Sequence, residues 1–141
     1  MSGGIDVKVR FGDIDAAGIV FYPRYFEMLN AAVEEWFETR IGVAFRELHL
    51  ERGLGIPTVT LQCDFTAPSR LGEVLQVSVA PTEIGRSSCK VRYTVSHAGE
   101  TRLTASAVLV CMNLKAARAE AWPDDIRARM QADLEASSAK A

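Results

Sequence analysis

Between Tyr22 and Arg40, the apolar residues Tyr25, Phe26, Met28, Leu29, Ala32, Val33, Trp36 and Phe37 recur at intervals of three and four, with Glu27, Glu34, Glu35 and Glu38 opposite. This is the repeat of an α-helix with a wide apolar stripe. Pro23 suits its first turn, where a missing N–H costs nothing, and Gly42 suits its C-terminal cap. Such a helix needs a large apolar partner, and the rest of the chain reads as strands. Ile5, Val7, Val9 and Phe11 alternate with Asp6, Lys8 and Arg10. After Pro57 come four segments, 58–66, 73–83, 86–97 and 101–114, each rich in Val, Thr, Leu or Tyr. The expected fold is α+β, an antiparallel sheet wrapped around one long central helix.

Residues 67–72, Ile84-Gly85 and Ala98-Gly99 carry the breakers that hairpins use, so consecutive strands are expected to be antiparallel neighbours. In the segment 86–97, Cys89, Val91, Tyr93 and Val95 alternate with Lys90, Arg92, Thr94 and Ser96, which predicts one buried face. Residues 43–55 read as a connector with some helical character. Past Trp122-Pro123, Asp124 or Asp125 caps a short amphipathic helix carrying Ile126, Met130 and Leu134, before an Ala/Ser/Lys tail expected to fray. No repeat or linker divides the 141 residues, and 1–141 is expected to be one domain.

Composition narrows the function. The net charge of −2 provides no basic footprint for nucleic acid as main partner. Cys63, Cys89 and Cys111 are odd in number and lie in apolar or alternating runs, which predicts buried free thiols; with His49 and His97 lacking ligand spacing, no metal site is expected. The N-terminus enters a strand pattern without a basic or apolar leader, and no apolar run approaches the ~18 residues of a membrane span. A cytoplasmic protein with no membrane partner is the expectation.

Between the first strand and the helix lies an acidic, glycine-punctuated turn, Phe11 to Pro23. A carboxylate there, followed by the exposed N–H groups of a helix start, sets an attacking or base group beside an electrophile-polarising one. The run Gly12-Asp13-Ile14-Asp15-Ala16-Ala17-Gly18-Ile19-Val20-Phe21-Tyr22-Pro23-Arg24-Tyr25, with the helix after it, resembles the signature of the hot-dog-fold acyl-CoA thioesterases. It is most similar to the 4-hydroxybenzoyl-CoA thioesterase family, and the likeness covers roughly residues 5 to 115.

The resemblance implies hydrolysis of an aromatic (benzoyl-type) or short-chain acyl-CoA to free acid and CoA. Asp15 matches the family's catalytic carboxylate, either a nucleophile forming a mixed anhydride or a general base on water. Asp13 is the structural acid of the pair. The Tyr22 N–H matches the group that polarises the thioester carbonyl, a donor typically worth ~3 kcal/mol of barrier. Gly18 suits close approach of backbone to ligand. Asn30 stands where a 4-hydroxybenzoyl specialist is expected to carry an acid; an amide donates or accepts, and so admits other ring substituents. Phe26, Ile56 and Thr60 are candidate walls of the acyl pocket. Arg86, Ser87 and Ser88 are candidates for the CoA phosphates, with fewer cations than the family's pattern. No cofactor is implied, coenzyme A being part of the substrate. The resemblance also implies a homo-oligomer, at least a dimer and usually a dimer of dimers, a tetramer. Alternatives are a non-catalytic acyl-CoA or acyl-carrier-protein binder and a thioesterase for acyl-carrier-protein thioesters. A hot-dog dehydratase is not, since Val20, Phe21 and Tyr22 provide no histidine at the helix start.

Overall fold

The computed structural model describes residues 3–139. The first alternating segment forms β1 (Gly3–Lys8). The long apolar stripe forms α1 (Pro23–Trp36), with Pro23 at its first position as expected. One widened turn, Phe37–Ile41, carries the helical run on to Gly42, whose φ of 81° is the left-handed cap that a side chain would strain. Arg129 Nη1 covers this end by donating to the Ile41 carbonyl at 3.1 Å.

The strands after Pro57 are β3 (Thr58–Phe65), β4 (Val74–Ile84), β5 (Ser88–His97) and β6 (Glu100–Val110), preceded by a two-residue β2 (Leu54–Gly55). They form an antiparallel sheet in the order β1-β4-β5-β6-β3. β4 to β5 and β5 to β6 are hairpins as expected, the second closing on Ala98 and Gly99, both at positive φ. Residues 67–72 do not close a hairpin: β3 pairs with β6 at the sheet edge, and the chain then crosses to β4. Alternation shows which face is buried and is silent on which strand lies alongside. The predicted segment 101–114 breaks at Cys111, and its end becomes β7 (Met112–Asn113), which joins β2 and β8 (Arg118–Ala119) in a small second sheet too short for a period to show.

α1 lies against the sheet, most closely on β1 and β4. Gly3 permits this approach, since a Cβ there would sit 2.8 Å from Trp36 Cα. One continuous core joins Tyr25, Met28, Leu29, Ala32, Val33 and Trp36 of the helix to the inward residues of β4, β5 and β6. Each large aliphatic side chain buried there contributes about 1.5–3 kcal/mol. This is the hot-dog architecture that the resemblance implied.

α2 (Asp124–Ala139) is longer than the short helix expected, and the remainder of the predicted fraying tail, Lys140 and Ala141, lies outside the described residues. Ile126 and Met130 are fully buried. Asp133, one helical turn beyond, is buried too, accepting from Trp36 Nε1 at 2.6 Å and Arg40 Nη2 at 2.9 Å. These bonds fasten α2 to the end of α1. Cys89 and Cys111 are buried and Cys63 half-buried, all three free thiols. Burial pushes the Cys89 thiol up to about 12, and burial with the nearby Glu120 charge pushes Cys111 up to about 11, so both stay protonated and inert.

Candidate active site

The acidic turn folds back on itself. Phe11–Asp13 makes a single 3-10 turn in which Asp13 Oδ2 accepts the Arg10 N–H at 2.9 Å, and the Asp13 carbonyl accepts the Phe21 N–H at 2.8 Å. Asp13 thus spends its carboxylate on the turn. Ile14 and Val20 pair as an isolated bridge, which makes residues 14–20 a miniature hairpin with Asp15 on its exposed arm. Asp15 is held from three sides: its N–H donates to Ile19 O, its carbonyl accepts the Gly18 N–H, both at 2.9 Å, and its Oδ1 accepts the Ala17 N–H at 2.8 Å. Its Oδ2 has no hydrogen-bond partner among the described residues. Gly18 takes a φ of 81°, with open space where a side chain would stand, so the turn's dihedral angle requires the glycine.

Tyr22 is the N-cap of α1, and its N–H has no acceptor among the described residues; the next position, Pro23, has no N–H to compete. The result is an open N-terminus facing solvent, where the helix dipole favours negative charge. The Tyr22 ring is exposed, edge-on to Phe26 at 6.4 Å and to Phe65 of β3 at 6.2 Å.

Further contacts, invisible in the motif, pin this turn. Val20 donates its N–H to Ser69 O at 2.9 Å, and Ile19 bridges to Arg70. Arg102 on β6 holds the 67–73 segment from beneath: its guanidinium makes two bonds to the Glu73 carboxylate, at 2.7 and 3.1 Å, and one to Pro68 O at 2.9 Å. Glu73 also accepts the Arg70 N–H at 2.7 Å. Arg102 first, then the Arg70 N–H, hold the Glu73 carboxyl down at about 2, well below its ordinary value.

Along the flank of α1 runs a cavity of about 830 Å³, in the range of small-molecule sites. Phe26, Asn30 and Ile56 line it, as the sequence reading placed them. Thr60 does not; Thr58 and Leu61 take the wall on β3. The cause is a bulge between Thr58 and Thr60, which inverts the alternation so that Leu61 stands opposite inward-facing Ala107 while Thr60 stands opposite Val108 on the other face. Glu27, Glu34, His49 and Tyr93 also line the cavity. His49 reads in sequence as an ordinary loop histidine; its place four residues after Phe45 on one helical face was the available signal. Tyr93 was legible as inward-facing, and a phenol on an inner face is a polar group in need of a partner.

Asp15, Gly18 and Tyr22 lie outside the cavity lining. Tyr22 adjoins it through Phe26, whose ring it meets edge-on, and Glu27 also lines a smaller cleft of about 340 Å³ with Phe21, Pro23 and Arg24 at the helix start; Asp15 and Gly18 stand on the turn that leads into that helix start. Arg86, Ser87 and Ser88 line neither. They form the β4–β5 turn and the first residue of β5, secured by bonds from Trp122 N to Arg86 O (3.0 Å), Cys111 N to Ser87 O (2.8 Å) and Trp122 Nε1 to Ser88 O (3.0 Å), with the Arg86 side chain in solvent.

Known proteins resemble this chain in sequence and in fold. The chain is 27% identical over 124 residues to a 1,4-dihydroxy-2-naphthoyl-CoA hydrolase of Synechococcus elongatus, spanning 87% of this chain and 90% of that one. It is 34% identical over 91 residues to a 4-hydroxybenzoyl-CoA thioesterase of a Pseudomonas species, spanning 63% and 64%. A crystal structure of a thioesterase from Thermus thermophilus, complexed with coenzyme A and zinc, superposes with a TM-score of 0.78 at 27% identity over 94% of both chains. The family described as the thioesterase-like superfamily matches residues 9–130, and the chain belongs to it.

Proposed function

We propose that this thioester hydrolase cleaves an aromatic acyl-CoA to the free acid and coenzyme A, with Asp15 and the Tyr22 N–H as its reacting groups. One observation carries the reading: a carboxylate oxygen on the turn before α1 and the N–H at the start of α1 are both without a protein partner, and the flank of the same helix lines a cavity large enough for an aryl group. The acyl ring enters between α1 and β3, its carbonyl beside Tyr22. Asp15 either attacks the carbonyl carbon or takes a proton from a water that does. Negative charge gathers on the carbonyl oxygen and is met by the Tyr22 N–H and the helix dipole. The C–S bond then breaks: where water attacks, the free acid forms directly and the proton held by Asp15 passes to the coenzyme A sulfur; where Asp15 attacks, the sulfur leaves as thiolate, and water then cleaves the Asp15 anhydride to free acid and carboxylate, releasing the proton that the thiolate takes up.

The aromatic preference is supported by the names of the similar proteins, a dihydroxynaphthoyl-CoA hydrolase and a hydroxybenzoyl-CoA thioesterase, and by a cavity walled by Phe26, Ile56 and Leu61. The coenzyme A bound in the Thermus thermophilus structure supports CoA as carrier. Arg86, exposed beside Ser87 and Ser88, is the cation we assign to its phosphates.

Assembly belongs to the same reading. β3 is an edge strand with Val59, Leu61 and Phe65 each more than two-fifths exposed, an unpaired apolar edge of the kind that a second copy covers. A homodimer through β3 would close the open side of the cavity, and two such dimers would make the tetramer. Residues 1–141 act as one domain, since both helices share a single core with the sheet. No helix among the described residues is long and apolar enough to cross a membrane, and we place the enzyme in the cytoplasm.

The experiment is a panel of acyl-CoA thioesters, aromatic and aliphatic, scored by free-thiol release. The reading requires an aryl thioester to lead the panel in kcat/KM; binding of coenzyme A with no turnover of any thioester would replace it with that of a non-catalytic binder.

A further inference from the structure

His49 is the cavity group that the proposed reaction leaves without a task. It stands on the widened helical turn Glu47–Glu51, half-buried, one turn after Phe45, which lines the same cavity. Its Nδ1 lies 2.8 Å from the Phe45 carbonyl oxygen. A carbonyl only accepts, so Nδ1 carries the hydrogen, and in the neutral ring Nε2 is left as a lone-pair acceptor. The Phe45 ring, 5.0 Å away and steeply inclined, holds the imidazole plane.

Gly55 shows where Nε2 lies. A Cβ built on that glycine would lie 3.9 Å from Nε2, and Gly55 itself lines the cavity. The same Cβ would lie 2.8 Å from Leu114 Cδ2, so Nε2 stands beside Gly55 and the Leu114 side chain on the cavity wall, and no donor to Nε2 is present among the described residues. A second observation points the same way. Tyr93, only 2% exposed, lines this cavity with a hydroxyl that has no hydrogen-bond partner among the described residues. Burial, with the adjacent Cys89 second, pushes its phenol up to about 12, so it remains an O–H. An inner wall with two unpartnered polar groups is suited to a ring that carries its own polar substituent. Asn30, Glu27 and Glu34 on the same cavity are exposed, so a hydroxyl gains less there by leaving water.

We propose that His49 is a specificity-determining residue whose Nε2 accepts a hydrogen bond from a hydroxyl group on the aromatic acyl ring. The proposal rests on the aryl-CoA reading above and deepens it, since it selects hydroxylated rings over the unsubstituted one.

The test compares benzoyl-CoA with 2-, 3- and 4-hydroxybenzoyl-CoA on the full chain, as wild type, His49→Asn and His49→Gln. Asparagine places an amide N–H near Nδ1 and retains the bond to Phe45, with nothing near Nε2; glutamine places an amide oxygen near Nε2. In the wild type, one hydroxylated isomer should exceed benzoyl-CoA by about tenfold or more in kcat/KM, the factor one net hydrogen bond supplies. His49→Asn should bring that ratio to within about twofold of one, with benzoyl-CoA turnover changed less than about threefold, and His49→Gln should restore most of it. An unchanged ratio in His49→Asn overturns the proposal, as do equal losses on all four substrates, which would mark a structural role, and equal wild-type rates on all four. Should the asparagine variant unfold, the glutamine variant decides: a ratio kept above about threefold supports the acceptor, and a ratio of one overturns it. A wild type inert toward every aryl thioester would instead overturn the aryl-CoA reading itself, and this inference with it.

Discussion

The Tyr25 hydroxyl donates to Ser69 Oγ at 2.9 Å inside the core, and the Ser69 carbonyl accepts the Val20 N–H at 2.9 Å. Helix α1 and the Asp15 turn are therefore fixed to the same buried residue, and the carboxylate is placed relative to the helix N-terminus by a contact 44 positions away in sequence. Tyr25→Phe removes the bond with little change in shape. It should lower stability by about 1 kcal/mol, seen as a melting temperature a few degrees lower. It should also lower kcat several-fold, because the bond that ties α1 to the residue anchoring the turn is gone; a stability change with no change in kcat would show that this bond does not position the turn.

The Arg102–Glu73 pair under this segment gives a pH signature. The Glu73 carboxyl is held at about 2 when folded, against an ordinary value of 4.5. A depressed folded value means that the unfolded chain binds the proton more readily. The pair's stabilisation is then complete above about pH 5 and is lost as pH falls from 4.5 toward 2. Urea denaturation between pH 7 and pH 3 should show stability declining on the acid side, and Glu73→Gln should flatten that part of the decline while lowering stability at pH 7.

Gly18 stands at a φ of 81° with no atom near a would-be Cβ, so replacing it tests dihedral strain without a clash. Gly18→Ala should cost about 1–2 kcal/mol if the turn keeps its shape. If it relaxes instead, the Gly18 N–H to Asp15 O bond goes with it, and kcat/KM should fall by tenfold or more. Melting temperature and kcat/KM measured together separate the two responses.

Much of this site was legible before the fold was known. The α1 stripe, Pro23, Gly42 and the alternation through Tyr93 read directly, since each depends on a local period or a local dihedral preference. The Asp15 turn read through its spacing. Non-local pairing was hidden: nothing in residues 58–66 says that β3 belongs beside β6, and nothing in Thr58-Val59-Thr60 says that a bulge will turn Thr60 outward and Leu61 inward. Nothing local in the sequence marks Arg102 or Asp133 as buried, yet both are, because their partners Glu73, Trp36 and Arg40 come from distant segments.

The exposed β3 edge leads to a prediction on assembly. Val59 is 56% exposed at the bulge of the edge strand. Val59→Asp should set like charges against each other across a two-fold β3 contact and shift the protein to the 15.4 kDa monomer in sedimentation velocity, with loss of thioester hydrolysis. A wild type that already sediments as a fully active monomer would remove the edge-to-edge dimer from the account.

The central claim is that Asp15 performs the chemistry. Asp15→Asn preserves an oxygen for the Ala17 N–H, and with it the turn, while removing the charge from the unpartnered position. The decisive measurement is the single-turnover rate of thiol release from the best aryl-CoA substrate, with circular dichroism and melting temperature recorded alongside. A fall of about a thousandfold or more in a variant that folds and melts like the wild type is the predicted result. Retention of more than about a tenth of the wild-type rate would contradict the assignment.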